Sequence, residues 1–284
     1  QKAWMDTKRK SNKPEMEAAA LQITEAIKAF KPSLLFLGDD NAANYLGNQF
    51  LDSSLPIIFW GVNNTPVKYG LVDSAERPGH NVTGVVEIAY YADGLQLLKT
   101  LAPNVKTFAL LSDESETGRS NYKEVEALAR DGKLPLQLVE TVATNDWELW
   151  QRKLLELQER VDAFFIVQYA TLKDAQDQHV PEEDVIRWYL AHTKIPEAAR
   201  SRRGVLHGQL CAVDTDMAQQ GSNAVAIAHD LLANGKPAAT YPTVTPKRGP
   251  RLVNAHRAKQ LGIALTPAMG IEEVIEEAAA LKTA

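Results

Sequence analysis

The sequence holds a single cysteine in 284 residues, Cys211, so no disulfide forms within the chain and the redox compartment stays open. A lone thiol of this kind reads as a small buried hydrophobe. Long apolar runs are also lacking. The longest, such as Ser33 to Gly38 and Ala163 to Val167, are strand-sized and fall short of the ~20 residues of a membrane-spanning helix. Positive charge is not in excess: 31 Lys and Arg against 36 Asp and Glu give a net charge of -5, which carries no electrostatic footprint for nucleic acid. Six histidines are scattered without metal-ligand spacing, and His179, His192 and His207 read as surface or hinge residues. P-loop, G-x-G-x-x-G, nucleophile-elbow and metal-cluster patterns are absent, so no cofactor, no metal and no catalysis are expected. The opening stretch QKAWMDTKRKSNK has no apolar h-region, as expected of a mature form without its signal segment.

What is present is a regular alternation of strand-like and helix-like segments, the signature of α/β layers around parallel sheets. Met16, Ala20, Ile23 and Ile27 recur at helical spacing and predict a helix over Lys13 to Phe30, with Pro14 near its start. Leu34 to Leu37 and Leu55 to Trp60 read as buried strands, with a helix from Ala42 to Phe50 between them. Thr83 to Ile88 reads as a crossing into a second α/β series. That series runs helix Tyr91 to Leu101, strand Thr107 to Ser112, helix Ser120 to Asp131, strand Leu136 to Thr141, helix Asp146 to Arg160, strand Ala163 to Gln168 and helix Glu182 to His192. An extended stretch from Gly204 to Val213 is expected to return to the first lobe and lead into the helix Thr215 to Asn234, and Tyr241 to Thr245 to cross back. A short helix ending at Gly262 and an acidic, alanine-rich helix from Ile271 to Leu281 complete the expectation. The two lobes are thus 1–85 with 209–243 and 86–208 with 244–284.

Polar loops follow the strands. Asn63, Asn64, Tyr69, Arg77, Gly79, Asn81 and Thr83 crowd after Leu55 to Trp60, where open α/β sheets place ligands. Asp39, Asp40 and Asn41 stand at a helix start, where backbone donors hold a carboxylate and an Asp takes an ammonium; N-capping explains the same residues. Trp60 offers a stacking face or a core side chain, Asn63 and Asn64 amides for a ligand or a turn, and Glu87 a partner for a cation or a solvated hinge residue. In the second series the candidates are Asp113, Ser115 and Thr117 in a strand-to-helix loop, which an ordinary capped turn also explains, and Gln168 with Tyr169. Trp147, Trp150 and Trp188 read as core. An α/β enzyme using Asp39, Asp40 or Glu87 as acid or base is the catalytic alternative.

The run P-I-I-F-W-G-V-N at Pro56 to Asn63, then Y-G-L-V at Tyr69 to Val72 and R-P-G-H-N-V-T-G at Arg77 to Gly84, resembles the ABC-transporter substrate-binding proteins of the aromatic amino acid type. Gly38 to Ala42 resembles the ligand loop of one branch of that family, and Lys194-Ile195-Pro196, Gln220-Gly221 and Asn254 to Gly262 follow in the family's order. Two departures stand out: His80 replaces the usual second glycine, and Glu197 to Arg203 is unusually charged. The resemblance implies a periplasmic-binding-protein type I-like clamshell of two doubly wound parallel-sheet lobes joined by three hinge crossings. It also implies an amino acid or similar ligand held in the interlobe cleft, ABC permease and ATPase partners, and a monomer outside the cytoplasm. Contact with the membrane would come through the permease or a lipid anchor beyond this sequence. A ligand-binding sensor of a signalling system is the alternative. Lys2 to Thr7 resembles the family's second strand, so the usual first strand and helix are expected to be missing from the sequence.

Overall fold

In the computed structural model, residues 1–64 and 66–276 are described. Along the chain they form α1 (Lys13–Phe30), β1 (Leu35–Gly38), α2 (Asp40–Ala42, continued as a π-helical turn Ala43–Gly47), β2 (Ile57–Val62) and β3 (Val82–Val86). Then come α3 (Tyr91–Leu101), β4 (Thr107–Ser112), α4 (Glu116–Arg130), β5 (Gln137–Ala143), α5 (Trp147–Leu157), β6 (Ala163–Ile166) and α6 (Glu182–His192). β7 (Glu197–Ala199), α7 (Arg202–Leu206), β8 (Cys211–Val213), α8 (Met217–Leu232), β9 (Arg251–Asn254), α9 (Ala255–Gln260) and β10 (Glu273–Ile275) follow. The chain divides into two compact units, residues 1–88 with 216–247 and residues 89–215 with 248–284.

The first unit is built on a three-stranded parallel sheet ordered β1-β2-β3. Alternation along β2 decides its two faces. Ile57 and Phe59 join Leu37, Ala43, Leu46 and Leu71 beneath α1 and the π turn, whereas Ile58 joins Val85 under Ala224, Ile227 and Leu231 of α8. Gly84 lets β3 lie close to β2, because a Cβ there would sit 2.2 Å from the Phe59 carbonyl oxygen. The pairing then shifts register between Phe59 and Val62, where Gly61 adopts φ +64° and donates its N–H to Gln220. Such a bulge turns the strand end outward and re-aims the loop after it.

The second unit carries a seven-stranded sheet ordered β10-β9-β8-β7-β6-β4-β5, parallel except for the β8–β9 pair. Both faces are covered, as a sheet with apolar side chains on each side requires. Phe108, Leu110 and Phe165 pack with Leu95, Leu98 and Val125 of α3 and α4; Ala109, Leu111, Phe164 and Ile166 pack with Trp150, Leu154, Ile186 and Tyr189 of α5 and α6. Beneath β7, the buried carboxylate of Glu197 meets Arg257 of α9 at 3.0 Å and accepts the Leu210 N–H at 2.9 Å. Arg257 also donates to the Thr193 carbonyl oxygen at 3.1 Å, so one ion pair ties α6, β7, β8 and α9 together.

Several sequence expectations are corrected. Cys211 to Val213, expected in a stretch returning to the first lobe, is β8 of the second unit's sheet, preceded by the helix α7. Its three residues are fully buried between β7 and β9, a packing that no local periodicity announces. Thr83 to Val86 belongs to β3 of the first unit's sheet, and the chain passes between units after Ile88, Thr215 and Lys247. Glu273 to Ile275, expected in a helix, pairs as β10 with β9, so pairing overrides helical composition there; the rest of that helix lies outside the described residues. Lys2 to Thr7 pairs with no strand among the described residues.

The motif R-P-G-H-N-V-T-G lies at the opposite end of the sheet from the one expected, because Asn81 precedes β3. Its side chain donates to the Phe50 and Leu55 carbonyl oxygens and accepts the Asp52 N–H, fastening the loop before β2 to the loop before β3. His80 adds to this clasp, with Nδ1 2.8 Å from Asp52 and Nε2 3.4 Å from Asp73.

Glu197→Ala should lower stability by about 3–5 kcal/mol in urea unfolding, since it leaves the Arg257 charge buried without its partner. The His80 clasp should be pH-dependent. The hydrogen bond to Asp52 raises the imidazole above its ordinary 6.5, so its contribution is fully present below that value and lost as pH rises through the higher folded value. The difference in melting temperature between the native chain and His80→Gln should therefore be larger at about pH 6 than at about pH 8.5.

Candidate functional site

In the first unit the chemistry gathers past the carboxyl ends of β1 and β2. Asp39 directly follows β1 with φ 77° and ψ 158°, a region that belongs almost wholly to glycine. Two bonds hold it there: its N–H donates to the Trp60 carbonyl oxygen at 3.1 Å, and its Oδ1 accepts the Asp40 N–H at 2.8 Å. Burial pushes the Asp39 carboxyl above the ordinary carboxylate value; Lys8, 3.9 Å away, pulls it back, while the charges of Asp40 and Glu87 push it further. Glu87 stands near, its Oε2 3.8 Å from where a Cβ on Gly61 would lie, as Asp39 N is at 3.9 Å. The Glu87 carboxylate thus lies beside Gly61, close enough to the Asp39 carboxyl for its charge to act on it.

Asp40 has a different task. It is fully buried, and its oxygens accept from the Asn63 N–H and Nδ2 at 3.2 and 2.8 Å, from the Asn64 N–H at 2.9 Å and from the Tyr69 hydroxyl at 3.0 Å. It therefore shapes the 63–69 loop. Asn41 is likewise turned inward and donates from Nδ2 to Thr7 Oγ1 at 3.0 Å. Asn63 and Asn64 remain half-buried on the rim of a recess of about 290 Å³, with Val62, Pro66, Val72 and Val86 as apolar walls and Glu87 at its edge. Trp60 is half-buried and packs with the α8 face of the sheet, its ring against Gly38.

The second unit repeats the device. Asp113, fully buried after β4, accepts from Ser115 N–H and Oγ at 3.1 and 2.6 Å and from the Ala170 and Thr171 N–H groups at 2.7 and 3.0 Å. It joins the loops after β4 and β6. Ser115 is spent as the α4 N-cap, accepting the Gly118 N–H at 3.0 Å, and Thr117 is buried in the first turn. Gln168 is half-buried. Tyr169 is buried, its hydroxyl 2.8 Å from His207 Nδ1, and burial raises the phenol well above its ordinary value. His207 is not a simple surface residue: burial and the Arg203 charge push its imidazole below 6.5. Lys8 was missed as a site neighbour, because a basic run reads as a solvated face. Among the described residues no group of three or more His, Cys, Asp or Glu is arranged to hold a metal ion, and no helix is long and apolar enough to cross a membrane.

The ABC transporter substrate binding protein family pattern matches residues 5–280. The chain belongs to that family. It is 26% identical over 208 residues to a tyrosine-binding protein of Clostridioides difficile strain R20291, covering 73% of this chain and 57% of that relative, a little over half its length. A solved ABC domain in complex with L-Trp from Streptococcus pneumonia has the same fold, with a TM-score of 0.73, 22% identity and coverage of 91% of this chain and 84% of that one. A ligand-free, open substrate binding protein with adhesive properties from Clostridium difficile gives 0.67, 24%, 93% and 84%. The α/β fold with parallel sheets is that of type I-like periplasmic binding proteins. The family is that of the substrate-binding proteins of ABC transporters.

Asp40→Ala should lower the melting temperature of the unliganded protein, by about 2–4 kcal/mol of stability, because it strips acceptors from several loop donors at once. Chemical denaturation checks this; a change within about 0.5 kcal/mol would mean that the loop holds itself.

Proposed function

We propose that the chain is the solute-binding component of an ABC importer and that it takes a free amino acid, with an aromatic side chain as the favoured class. The observation that carries the reading is the Glu87 carboxylate on an apolar-walled recess in the first unit, with the Asp39 carboxyl close enough for the two charges to act on each other. A carboxylate pair of this kind suits an ammonium group, and apolar walls suit the body of a ring. The names of relatives that bind tyrosine and L-Trp support the same class. Asn63 and Asn64 supply rim amides, while Asp40 keeps the loop in place before any ligand arrives, which lowers the ordering cost of binding. The strained backbone of Asp39 fits a residue retained for what its side chain does. No covalent change of the ligand is part of this function.

A thermal-shift panel of amino acids, nucleosides, purines and small acids tests the class, since a ligand that binds only the folded state raises apparent stability by about 2.7 kcal/mol at a hundred times its Kd. Tyrosine or tryptophan should give the largest shift. Glu87→Gln should weaken that ligand by roughly 10-fold or more, the scale of one charge-assisted hydrogen bond, with the unliganded melting temperature unchanged. Affinity for an ammonium-bearing ligand should also fall on acidification earlier than an ordinary aspartate would allow, because protonating Asp39, whose value is raised, removes the charge that holds the cation. A panel in which only neutral nucleosides or purines bind would sink the amino acid reading.

A further inference from the structure

Asn234 is the one asparagine of the chain that a glycine follows, and the pair Asn234-Gly235 lies just past α8, where the chain leads on to Tyr241. Both residues are exposed. Gly235 has φ +64°, nothing beyond its chain neighbours stands within 4 Å of where its Cβ would be, and its N–H meets no acceptor among the described residues. A backbone nitrogen that no Cβ shields is open to approach the side-chain carbonyl carbon of the asparagine before it. Water reaches the same place.

The side chain of Asn234 also holds structure together. Its Nδ2 donates to Asp230 Oδ1 at 2.7 Å, while Asp230 Oδ2 accepts from Lys236 Nζ and from the Tyr241 hydroxyl, each at 2.9 Å. Lys236 foremost, then Asn234 and Tyr241, hold the Asp230 carboxyl down to about 2. This knot fastens the end of α8 to the segment that follows it. There the Tyr241 carbonyl oxygen accepts from Thr83 Oγ1 at 2.7 Å and Val244 bridges to Val85 of β3, ahead of the passage between units after Lys247.

We propose that Asn234 is a site of spontaneous deamidation and that its product loosens the Asp230 knot. The Gly235 nitrogen bonds to Asn234 Cγ and gives up its proton to water or hydroxide; the Cγ–Nδ2 bond breaks, and the nitrogen leaves as ammonia with a proton taken from water. Water then opens the cyclic imide at either carbonyl, leaving aspartate or isoaspartate at position 234. Water is the sole co-reactant. Either product sets a carboxylate against Asp230 where a donor stood, so a hydrogen bond becomes a like-charge contact with Lys236 as the cation between the two. Isoaspartate also lengthens the main chain by a methylene just before Gly235. Neither effect depends on which ligand the chain takes.

Ageing of the full chain in mildly alkaline buffer, followed by peptide mapping with mass spectrometry, tests the chemistry. Conversion at Asn234 should run several-fold faster than at the exposed Asn12 and Asn104, which Lys13 and Val105 follow, and isoaspartate should accumulate with it. Conversion no faster than at those two positions overturns the site. The consequence is read on the same samples. The aged native chain and Asn234→Asp, which carries the aspartate product from the start, should melt roughly 2 °C or more below the fresh native chain. Asn234→Gln, which keeps an amide and removes the fast reaction, should hold its own melting temperature through the same ageing. Hydrogen exchange locates the change: peptides covering residues 230–244 should exchange faster after ageing, with those of the second unit unaltered. Unchanged exchange there, or an equal loss of stability on ageing in Asn234→Gln, overturns the loosening of the knot. Should Asn234→Asp not fold, the aged native chain carries both readouts.

Discussion

The loops at the strand ends of this protein depend on buried carboxylates that neighbouring loops saturate with hydrogen bonds. Asp40 after β1, Asp113 after β4 and Asp214 after β8 are all buried, and each spends its oxygens on the N–H groups of neighbouring loops. A loop at a strand end has few apolar contacts to hold it, and its backbone donors must be satisfied somewhere. One buried acceptor with several lone pairs does both, joining the loops after β4 and β6 in one case and α7 to the β8 end in another. The charge is tolerated because it is surrounded by donors, as burial of a carboxylate demands. Each unit is thereby pre-shaped before ligand arrives.

The two ends of the sheets are used differently. Where strands begin, side chains fasten: Asn81 ties the loop before β2 to the loop before β3 in the first unit, and Glu197 with Arg257 anchors β7 of the second. Where strands end, charged groups such as Asp39 and Glu87 gather. Separating the two tasks lets the ligand end vary without loosening the sheet.

Much of the fold was legible because helices with a full apolar stripe and long buried strands announce themselves. α1, α3, α6 and β4 follow from periodicity and from their bounding prolines. Strands of three residues do not: β7, β8 and β10 hold only Glu197 to Ala199, Cys211 to Val213 and Glu273 to Ile275, and their pairing is a property of their neighbours. The site was legible as a set of positions but not as a set of roles. Asp39 and Asp40 are adjacent and chemically identical, yet one is half-exposed and strained while the other is buried and saturated, and only the path of the 63–69 loop distinguishes them.

The tryptophans are distributed in a way that has an optical consequence. Trp147, Trp150 and Trp188 sit with ring centroids 5.4 to 6.4 Å apart on one face of the second unit, whereas Trp60 lies at a strand end of the first. Rings that close share excitation energy, and His192 stacks on Trp188 at 4.2 Å, where an imidazole can quench its emission. The three clustered rings therefore report on one face of the second unit, while the first unit is reported by Trp60 at its strand end and by the exposed Trp4.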